Sequence, residues 1–209
     1  MNKSKFLNLF LFIVLFGITT ITVLIISNSE NNSAYSQRVL QTYENDKYGI
    51  KIQYPANWDG FEYENMVSET GEAIVNFQPV EKDNYPNISL VVQFLSPENA
   101  TLQSFTEQNL KSIQTPIVEG VDKKIKILNQ NSSVTLGGQP AHKVVYEDTI
   151  TNTLSVDTFG QYITYKYMKI WTVLETEAYQ FTFSSNDKEQ YDQYIKTAEK
   201  IINSFEFTR

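Results

Sequence analysis

Apolar and polar residues alternate over several short stretches of the chain. In the first of them Ile50, Ile52 and Tyr54 alternate with polar residues, which is the period-two pattern of a half-buried β-strand. Pro55 has no amide hydrogen to donate to a neighbouring strand, so we expect the strand to end there. Residues 57–60 have the composition of a turn.

The same criteria predict six further strands, over residues 73–78, 87–95, 125–136, 141–150, 161–175 and 178–184. Residues 137–140, Gly-Gly-Gln-Pro, predict one hairpin, and Thr176-Glu177 predicts a second one. Aromatic residues occupy both faces of the second hairpin, so we expect it to be a central pair of strands that is covered on both sides. Long hairpins of this kind predict an antiparallel sheet.

Two segments have helical spacing instead. The first follows Thr101, a suitable N-cap, and ends at Pro116; its apolar positions are Leu102, Phe105, Leu110 and Ile113. The second follows Ser185 and Asn186, either of which can cap it; its apolar positions are Tyr191, Tyr194, Ile195, Ala198, Ile201 and Ile202. Phe205 and Phe207 then predict a short closing strand or a tail. We therefore expect an α+β fold, a three-layer α-β-α sandwich with a central antiparallel sheet.

An uncharged apolar run, Phe6–Ile26, follows Lys3 and Lys5 near the N-terminus. A helix of this length spans roughly 30 Å, which is enough to cross a bilayer. Basic residues before the run, and none directly after it, place the remainder outside the cytoplasm. Two alternatives stay open: an uncleaved transmembrane anchor, or a signal segment cleaved after Ser36, which would release a secreted protein. The predicted organisation is 1–27 signal or anchor, 28–45 flexible polar linker and 46–209 folded domain.

The composition argues against some classes of partner and excludes some kinds of site. The chain carries 17 Lys and Arg against 24 Asp and Glu, a net charge of −7, which argues against nucleic acid as a partner. It has no cysteine, so disulfides, thiolate metal sites and cysteine nucleophiles are excluded. The sequons at Asn87, Asn99 and Asn131 are candidate glycosylation sites for an exported protein.

Catalytic signatures are not found. His142 is the single histidine, and no Gly-x-Ser-x-Gly elbow accompanies it, so we expect a histidine at the edge or surface of the sheet and no enzyme activity. Asp187 and Glu189 at the start of the last helix complement the helix dipole. A calcium site built from Asn186 and Asp187 is the alternative; no other cofactor is expected.

Three segments in this order resemble the PsbP-like family of extrinsic photosystem proteins and their non-photosynthetic, DcrB-like relatives. They are YGIKIQYPANW at 48–58, GGQPAHKVVYE at 137–147, and AYQFTFSSNDKEQYDQYIKTAEKIINSFEF at 178–207. The resemblance implies an α-β-α fold and a non-catalytic role, in which the protein docks on a membrane complex or assists its assembly. Some relatives bind divalent cations, but their ligand set has no clear counterpart in this chain.

The expected function is therefore an extracytoplasmic, membrane-associated binding or assembly module that docks on an unidentified protein complex of the cell envelope. If the N-terminal segment is not cleaved, it also binds the membrane. The expected partner face comprises Tyr54, Trp58, Phe61 and Tyr63, although Trp58 can instead fold back as an anchor of the corner. The alternative function is a solute- or divalent-cation-binding protein with a pocket between the sheet and a helix.

Overall fold

The computed structural model describes residues 39–63, 67–68, 71–80, 86–115, 123–151, 160 and 162–209. The predicted segment 1–27 and most of the predicted linker lie outside these residues. Within these ranges, no helix has the length and apolarity that crossing a membrane requires.

The chain divides into two units, and Val39, Leu40 and Pro55–Asn57 are the described residues of the first. In that unit the amide of Ala56 donates a hydrogen bond to the carbonyl of Val39 at 2.9 Å. The second unit, Gln41–Tyr54 with Trp58–Arg209, contains the candidate sites.

The described elements are eleven strands and two α-helices. In chain order they are β1 (Leu40–Asn45), β2 (Ile50–Pro55), β3 (Trp58–Glu62), β4 (Val67–Ser68), β5 (Gly71–Pro79), β6 (Asn87–Phe94), α1 (Leu102–Gln114), β7 (Lys123–Leu136), β8 (Gln139–Thr151), β9 (Tyr162–Leu174), β10 (Glu177–Ser185), α2 (Lys188–Asn203) and β11 (Glu206–Phe207). A short 3₁₀ helix at Pro97–Asn99 precedes α1.

The large sheet is antiparallel throughout, as predicted. Its strand order is β3-β5-β6-β10-β9-β8-β7, and β4 pairs with β5. The predicted central hairpin is confirmed, because β10 is the middle strand and β9 lies next to it. The predicted hairpin of β7 and β8 is also confirmed. Its two turn residues, Gly137 and Gly138, have φ of 57° and 77°, the left-handed pair that a tight two-residue hairpin requires.

A second, three-stranded sheet has the order β1-β2-β11. Two details of the prediction are wrong here. Leu40–Asn45 forms β1 and is not linker. The turn after β2 is confined to residues 56–57, because β3 begins at Trp58 and its pairing with β5 starts at that residue. The predicted closing strand is confirmed, since Phe207 pairs with Ile50.

The two helices pack on opposite faces of the large sheet. Neighbouring residues of a strand point to opposite faces, and β9 shows this directly. Met168 and Ile170 join the core of α2 and the small sheet, whereas Trp171 joins the core of α1. We call these the α2 face and the α1 face. The predicted layers are therefore present, with the small sheet added on the α2 side.

Both helices begin at a capping side chain. Thr101 Oγ1 accepts a hydrogen bond from the Ser104 amide at 3.1 Å, as predicted. The predicted cap of α2 is wrong, because the N-cap is Asp187 and neither Ser185 nor Asn186. Asp187 Oδ1 accepts from the amides of Glu189 and Gln190 at 2.8 and 3.1 Å. A carboxylate satisfies two orphan amides of the first turn better than a hydroxyl can, and it also complements the helix dipole.

Candidate functional site

The four residues of the predicted partner face do not share one surface. Trp58 is 1% exposed and packs edge-on against Tyr194, with ring centroids 5.9 Å apart, so its side chain belongs to the core. Tyr54 is half-buried, and the centroid of its ring lies 5.0 Å from that of Phe77. Phe61, in contrast, is 47% exposed and points to the α1 face, because its partner across the strands is Asn76. Their binding to a partner stays a prediction, and Phe61 is the member that offers an accessible apolar surface.

A groove of about 270 Å³ lies beside β3 and contains Tyr63. Its remaining lining residues are Asn45, Lys47, Tyr48, Glu62, Glu72, Ala73 and Ile74. Lys47 Nζ lies 2.8 and 3.0 Å from the two carboxylate oxygens of Glu72, and the Tyr48 hydroxyl donates to Glu72 Oε2 at 2.5 Å. The hydrogen bonds from Lys47 and then from Tyr48 lower the pKa of Glu72. Glu72 is therefore ionised and its charge is balanced.

The second carboxylate of the groove, Glu62, is not balanced in this way. Among the described residues it forms no salt bridge. Its neighbour Tyr43 accepts a hydrogen bond from Asn45 Nδ2 at 3.1 Å. Burial, with a smaller contribution from Glu62, raises the pKa of Tyr43 to about 12. The tyrosine therefore stays neutral and does not supply a charge to the groove. Glu62 follows Phe61 in β3 but points to the opposite face of the sheet, and no cation pairs with it among the described residues.

The predicted pocket between sheet and helix also has a counterpart. A cavity of about 220 Å³ lies between the α2 face and α2. Met168, Ile170 and Ile202 supply apolar walls, and the other lining residues are Val134, Thr135, Lys143, Glu199 and Asn203. Lys143 Nζ and Glu199 Oε1 form an ion pair of 2.8 Å at this site. The volume is below the roughly 300 Å³ at which most small-molecule sites begin, so only a small ligand fits.

The predicted calcium ligands lie at the start of α2. Both Asn186 and Asp187 are exposed, and Asp187 Oδ1 already caps the helix. Within the part of the chain that the structure describes, no three His, Asp or Glu side chains cluster as metal ligands. A calcium ion at this place stays a prediction.

His142 is not the edge or surface residue that we expect from the sequence. It is 6% exposed, and its ring stacks on Trp171 with centroids 5.1 Å apart. The Trp171 indole N–H in turn donates to Thr106 Oγ1 of α1 at 2.9 Å. Burial lowers the pKa of His142, and its buried Nε2 has no hydrogen-bond partner. Adjacent aromatic strands bring it into the α1 core, so its position is that of a packing residue.

The candidate glycosylation sites differ in access. Asn99 and Asn131 are exposed, on the 3₁₀ helix and on β7. Asn87 is half-buried at the start of β6. Modification of these residues stays a prediction.

Sequence reasoning misses Lys47 and Glu72, the pair that organises the groove. They lie 25 positions apart, and no periodic signal links them. Their contact depends on the place where β5 begins, and the register of β5 shifts between Ala73 and Val75. The available signal is the Lys-Tyr-Gly sequence at 47–49, which places a cation next to the first motif.

Comparison with known proteins gives a partial sequence match and a similarity to solved structures. No family model matches the chain. An argininosuccinate synthase of Lacticaseibacillus paracasei is 24% identical over 129 residues, which are 62% of this chain and 30% of that protein. The chain thus spans less than a third of the curated relative that it matches.

Among solved structures, cyanobacterial PsbP of Synechocystis superposes with a TM-score of 0.56 and 16% identity, over 80% of this chain and 92% of that one. LpqN of Mycobacterium tuberculosis, a protein involved in cell envelope biogenesis, has a TM-score of 0.45 and 14% identity, over 85% of this chain and 96% of that one. The Saccharomyces cerevisiae Ran-binding protein Mog1p has a TM-score of 0.47 and 8% identity, over 81% of this chain and 96% of that one. Only the first comparison is close enough to support a conclusion about the fold. The chain therefore has the PsbP-like fold that its three sequence motifs predict.

Proposed function

We propose that the protein is a non-catalytic, extracytoplasmic binding module that docks on a protein of the cell envelope through β3 and the adjoining groove. The observation that carries the proposal is the exposed Phe61 on β3, a terminal strand of the described sheet; Glu62 follows it, points to the opposite face and has no cationic partner among the described residues. An exposed aromatic side chain is a typical interface anchor, and a segment that pairs along an edge strand reaches both faces through its alternate side chains. The N-terminal run Phe6–Ile26 would keep the module at the membrane.

The two edges of the large sheet are built differently, which favours β3 as the docking edge. In the described part of the sheet, β3 and β7 are the terminal strands of the pairing order. β7 carries Lys123, Lys124 and Lys126, and its register shifts twice along β8. Lysines and bulges are the usual means by which an edge is protected from pairing. β3 has no lysine and no register shift; it presents Gly60 and the apolar side chain of Phe61 together with the carboxylates of Asp59 and Glu62.

Charge indicates the chemistry of the partner. The chain has a net charge of −7, and the groove adds the unbalanced Glu62 at the docking edge. Complementary potentials accelerate association and exclude partners of like charge. The proposed partner surface is therefore an extended segment with an apolar residue that covers Phe61 and a Lys or Arg that reaches Glu62.

Site-specific photo-crosslinking in intact membranes tests the proposal. A photoreactive phenylalanine analogue replaces Phe61 in the full chain, and in a control chain it replaces Phe94, which is 61% exposed at the end of β6. A discrete adduct is expected at position 61 and not at position 94. The adduct should weaken in a Glu62→Lys background and at high salt. Equal labelling at both positions, or none at position 61, would contradict docking through β3.

The cavity between the sheet and α2 favours a second candidate function, binding of a small solute. Its apolar walls and its Lys143–Glu199 ion pair would together hold a short amphipathic molecule. Calorimetry of the full chain against small solutes, Ca²⁺ and Zn²⁺ tests this candidate. Flat titrations throughout would exclude it.

A further inference from the structure

The α1 face of the large sheet carries a row of uncharged polar side chains that ends at a lysine. Strand pairing places Asn76 opposite Ser89, Ser89 opposite Thr182, and Thr182 opposite Lys169. Side chains that are directly opposite on one face lie about 5 Å apart, so the four form a continuous line across β5, β6, β10 and β9. We call this line the polar row. From Asn76 to Lys169 it crosses three strand spacings, about 14 Å.

Further polar and aromatic side chains lie on both sides of the polar row. On one side Asn87 is opposite Ser184, which is opposite Tyr167. On the other side Gln180 lies next to Trp171, two residues from Lys169 on the neighbouring strand. The polar row is thus bordered by two amides, a serine hydroxyl and two aromatic rings, and Lys169 is the only cation among these side chains.

Lys169 has no counter-charge. Within the described residues its Nζ forms no ion pair, while Lys123 on the same side of the sheet is engaged by Asp148 at 3.5 Å. Burial, and then the positive charge of Lys123, lower the pKa of Lys169. A half-buried ammonium group without a carboxylate is costly, and most proteins pair it.

Two acceptors on this face are also unsatisfied. Asn76 Oδ1 and Gln180 Oε1 are buried and have no hydrogen-bond partner among the residues that the structure describes. Buried amide oxygens in folded proteins nearly always have one, so each exception needs an explanation. A ligand that carries hydroxyl groups would donate to both oxygens, and an anionic group on the same ligand would balance Lys169.

We propose that the polar row binds an anionic sugar, whose carboxylate or phosphate pairs with Lys169 and whose hydroxyls contact Asn76, Ser89, Thr182 and Gln180. Hydroxyl and amide side chains beside aromatic rings suit a polyhydroxylated ligand, and the length of the row suits one or two sugar rings. A nucleic acid would need several unpaired cations, and among the described lysines of this face Lys123 is already paired with Asp148. The proposal does not rest on docking through β3, because Phe61 and Glu62 are not among its contact residues, although Phe61 lies opposite Asn76 at one end of the row.

Calorimetry of the full-length protein tests the site with glucuronate, glucose 6-phosphate, glucose and inorganic phosphate. Both anionic sugars are expected to bind, and glucose and inorganic phosphate at least about tenfold more weakly, since each lacks half of the contacts. Binding of only one anionic sugar would identify the anionic group as carboxylate or phosphate and would support the site. Flat titrations with both anionic sugars would overturn the proposal, as would inorganic phosphate binding as tightly as glucose 6-phosphate.

Two variants and a control locate the binding. Lys169→Met should lower the affinity for the anionic sugars at least about tenfold, and Thr182→Val, which keeps the shape of the side chain, should lower it severalfold. Lys124→Met is the control, because Lys124 is exposed on β7 and lies outside the polar row. Circular dichroism establishes whether each variant folds. If Lys169→Met does not fold, the affinity of Thr182→Val for the anionic sugars tests the site. Affinities that are unchanged in the folded row variants, or lowered equally in the control, would contradict the assignment.

Discussion

Gly137 lies directly against Phe207, so that a Cβ atom at position 137 would come within 2.8 Å of the Phe207 ring and within 2.9 Å of the Phe205 ring. The tight turn of the β7–β8 hairpin thus holds the aromatic residues that follow α2. Phe207 belongs to β11, which pairs with β2 in the small sheet. One glycine therefore joins the second and third motifs of the sequence.

Replacing Gly137 should be more costly than replacing its neighbour. Gly137→Ala introduces a Cβ both at positive φ and into the two rings, and we expect it to lower the free energy of unfolding by about 2–4 kcal/mol. Gly138→Ala has a similar strain at φ of 77°, but no atom lies within 4 Å of its Cβ position, so a loss of about 1 kcal/mol is expected. Urea unfolding of both variants measures the difference. Equal losses would show that the rings move aside without cost.

The first motif, residues 48–58, also contacts the segment that follows α2. The Ser204 hydroxyl donates to the carbonyl of Gln53 at 2.9 Å, and the Gln53 amide donates back to Ser204 Oγ at 2.8 Å. Gly49, at φ of 56°, is in contact with Arg209, which also bonds to Glu177 and to the Tyr179 hydroxyl. The three motifs that resemble the PsbP-like family therefore converge where β2, the β7–β8 turn and β11 meet. They specify the closure of the small sheet, which explains why they predict a fold and not a chemistry.

The hydrogen bond between Trp171 and Thr106 should anchor α1 to the sheet. Thr106→Val keeps the shape of the side chain but leaves the buried indole N–H without an acceptor, which should cost about 1–3 kcal/mol. Thr115→Val is the control, because the Thr115 hydroxyl donates to the Lys111 carbonyl at an exposed helix end. Chemical denaturation compares the two variants. A similar, small loss in both would mean that the apolar contacts of α1 hold the helix without this bond.

Periodicity predicts the large sheet well, and it predicts the small sheet poorly for a physical reason. β1 is mostly exposed and has no alternating apolar face, so its sequence LQTYEN is that of a polar linker. β11 contains two residues, too few for any pattern. Both strands exist because tertiary contacts place them beside β2, and such contacts leave no local signal.

Sites are harder to predict than strands, because they combine positions that are distant along the chain. The polar row depends on the strand order β5-β6-β10-β9, which brings Asn76 and Ser89 beside Thr182 and Lys169. In the sequence, Lys169 is one of two lysines, with Lys166, in the aromatic strand β9. The exposure of Phe61 is similarly hidden, since it depends on which face of β3 is buried. That face is set by Trp58, whose burial requires α2.

The cap of α2 gives a prediction that also tests the calcium hypothesis. Asp187→Asn keeps an acceptor oxygen and should change the free energy of unfolding little, whereas Asp187→Ala should lower it by about 1 kcal/mol. If the residue only caps the helix, both effects are the same in calcium and in a chelator. Thermal unfolding under the two conditions measures this. A loss in Asp187→Asn that occurs only in the presence of calcium would show that the carboxylate binds the ion.

His142 should make the protein less stable in mild acid. Burial lowers its pKa in the folded state, so at pH values between that pKa and the unfolded value of about 6.5 the unfolded chain binds more protons. Stability therefore rises with pH in this window and falls as the pH drops through about 6.5, by at most about 1.4 kcal/mol per pH unit for one proton. Because His142 is the only histidine, His142→Phe, which retains an aromatic ring against Trp171, should remove this slope. Urea unfolding of both proteins from pH 7.5 to 5.5 measures it. A slope that persists unchanged in the variant would assign the acid sensitivity to another group.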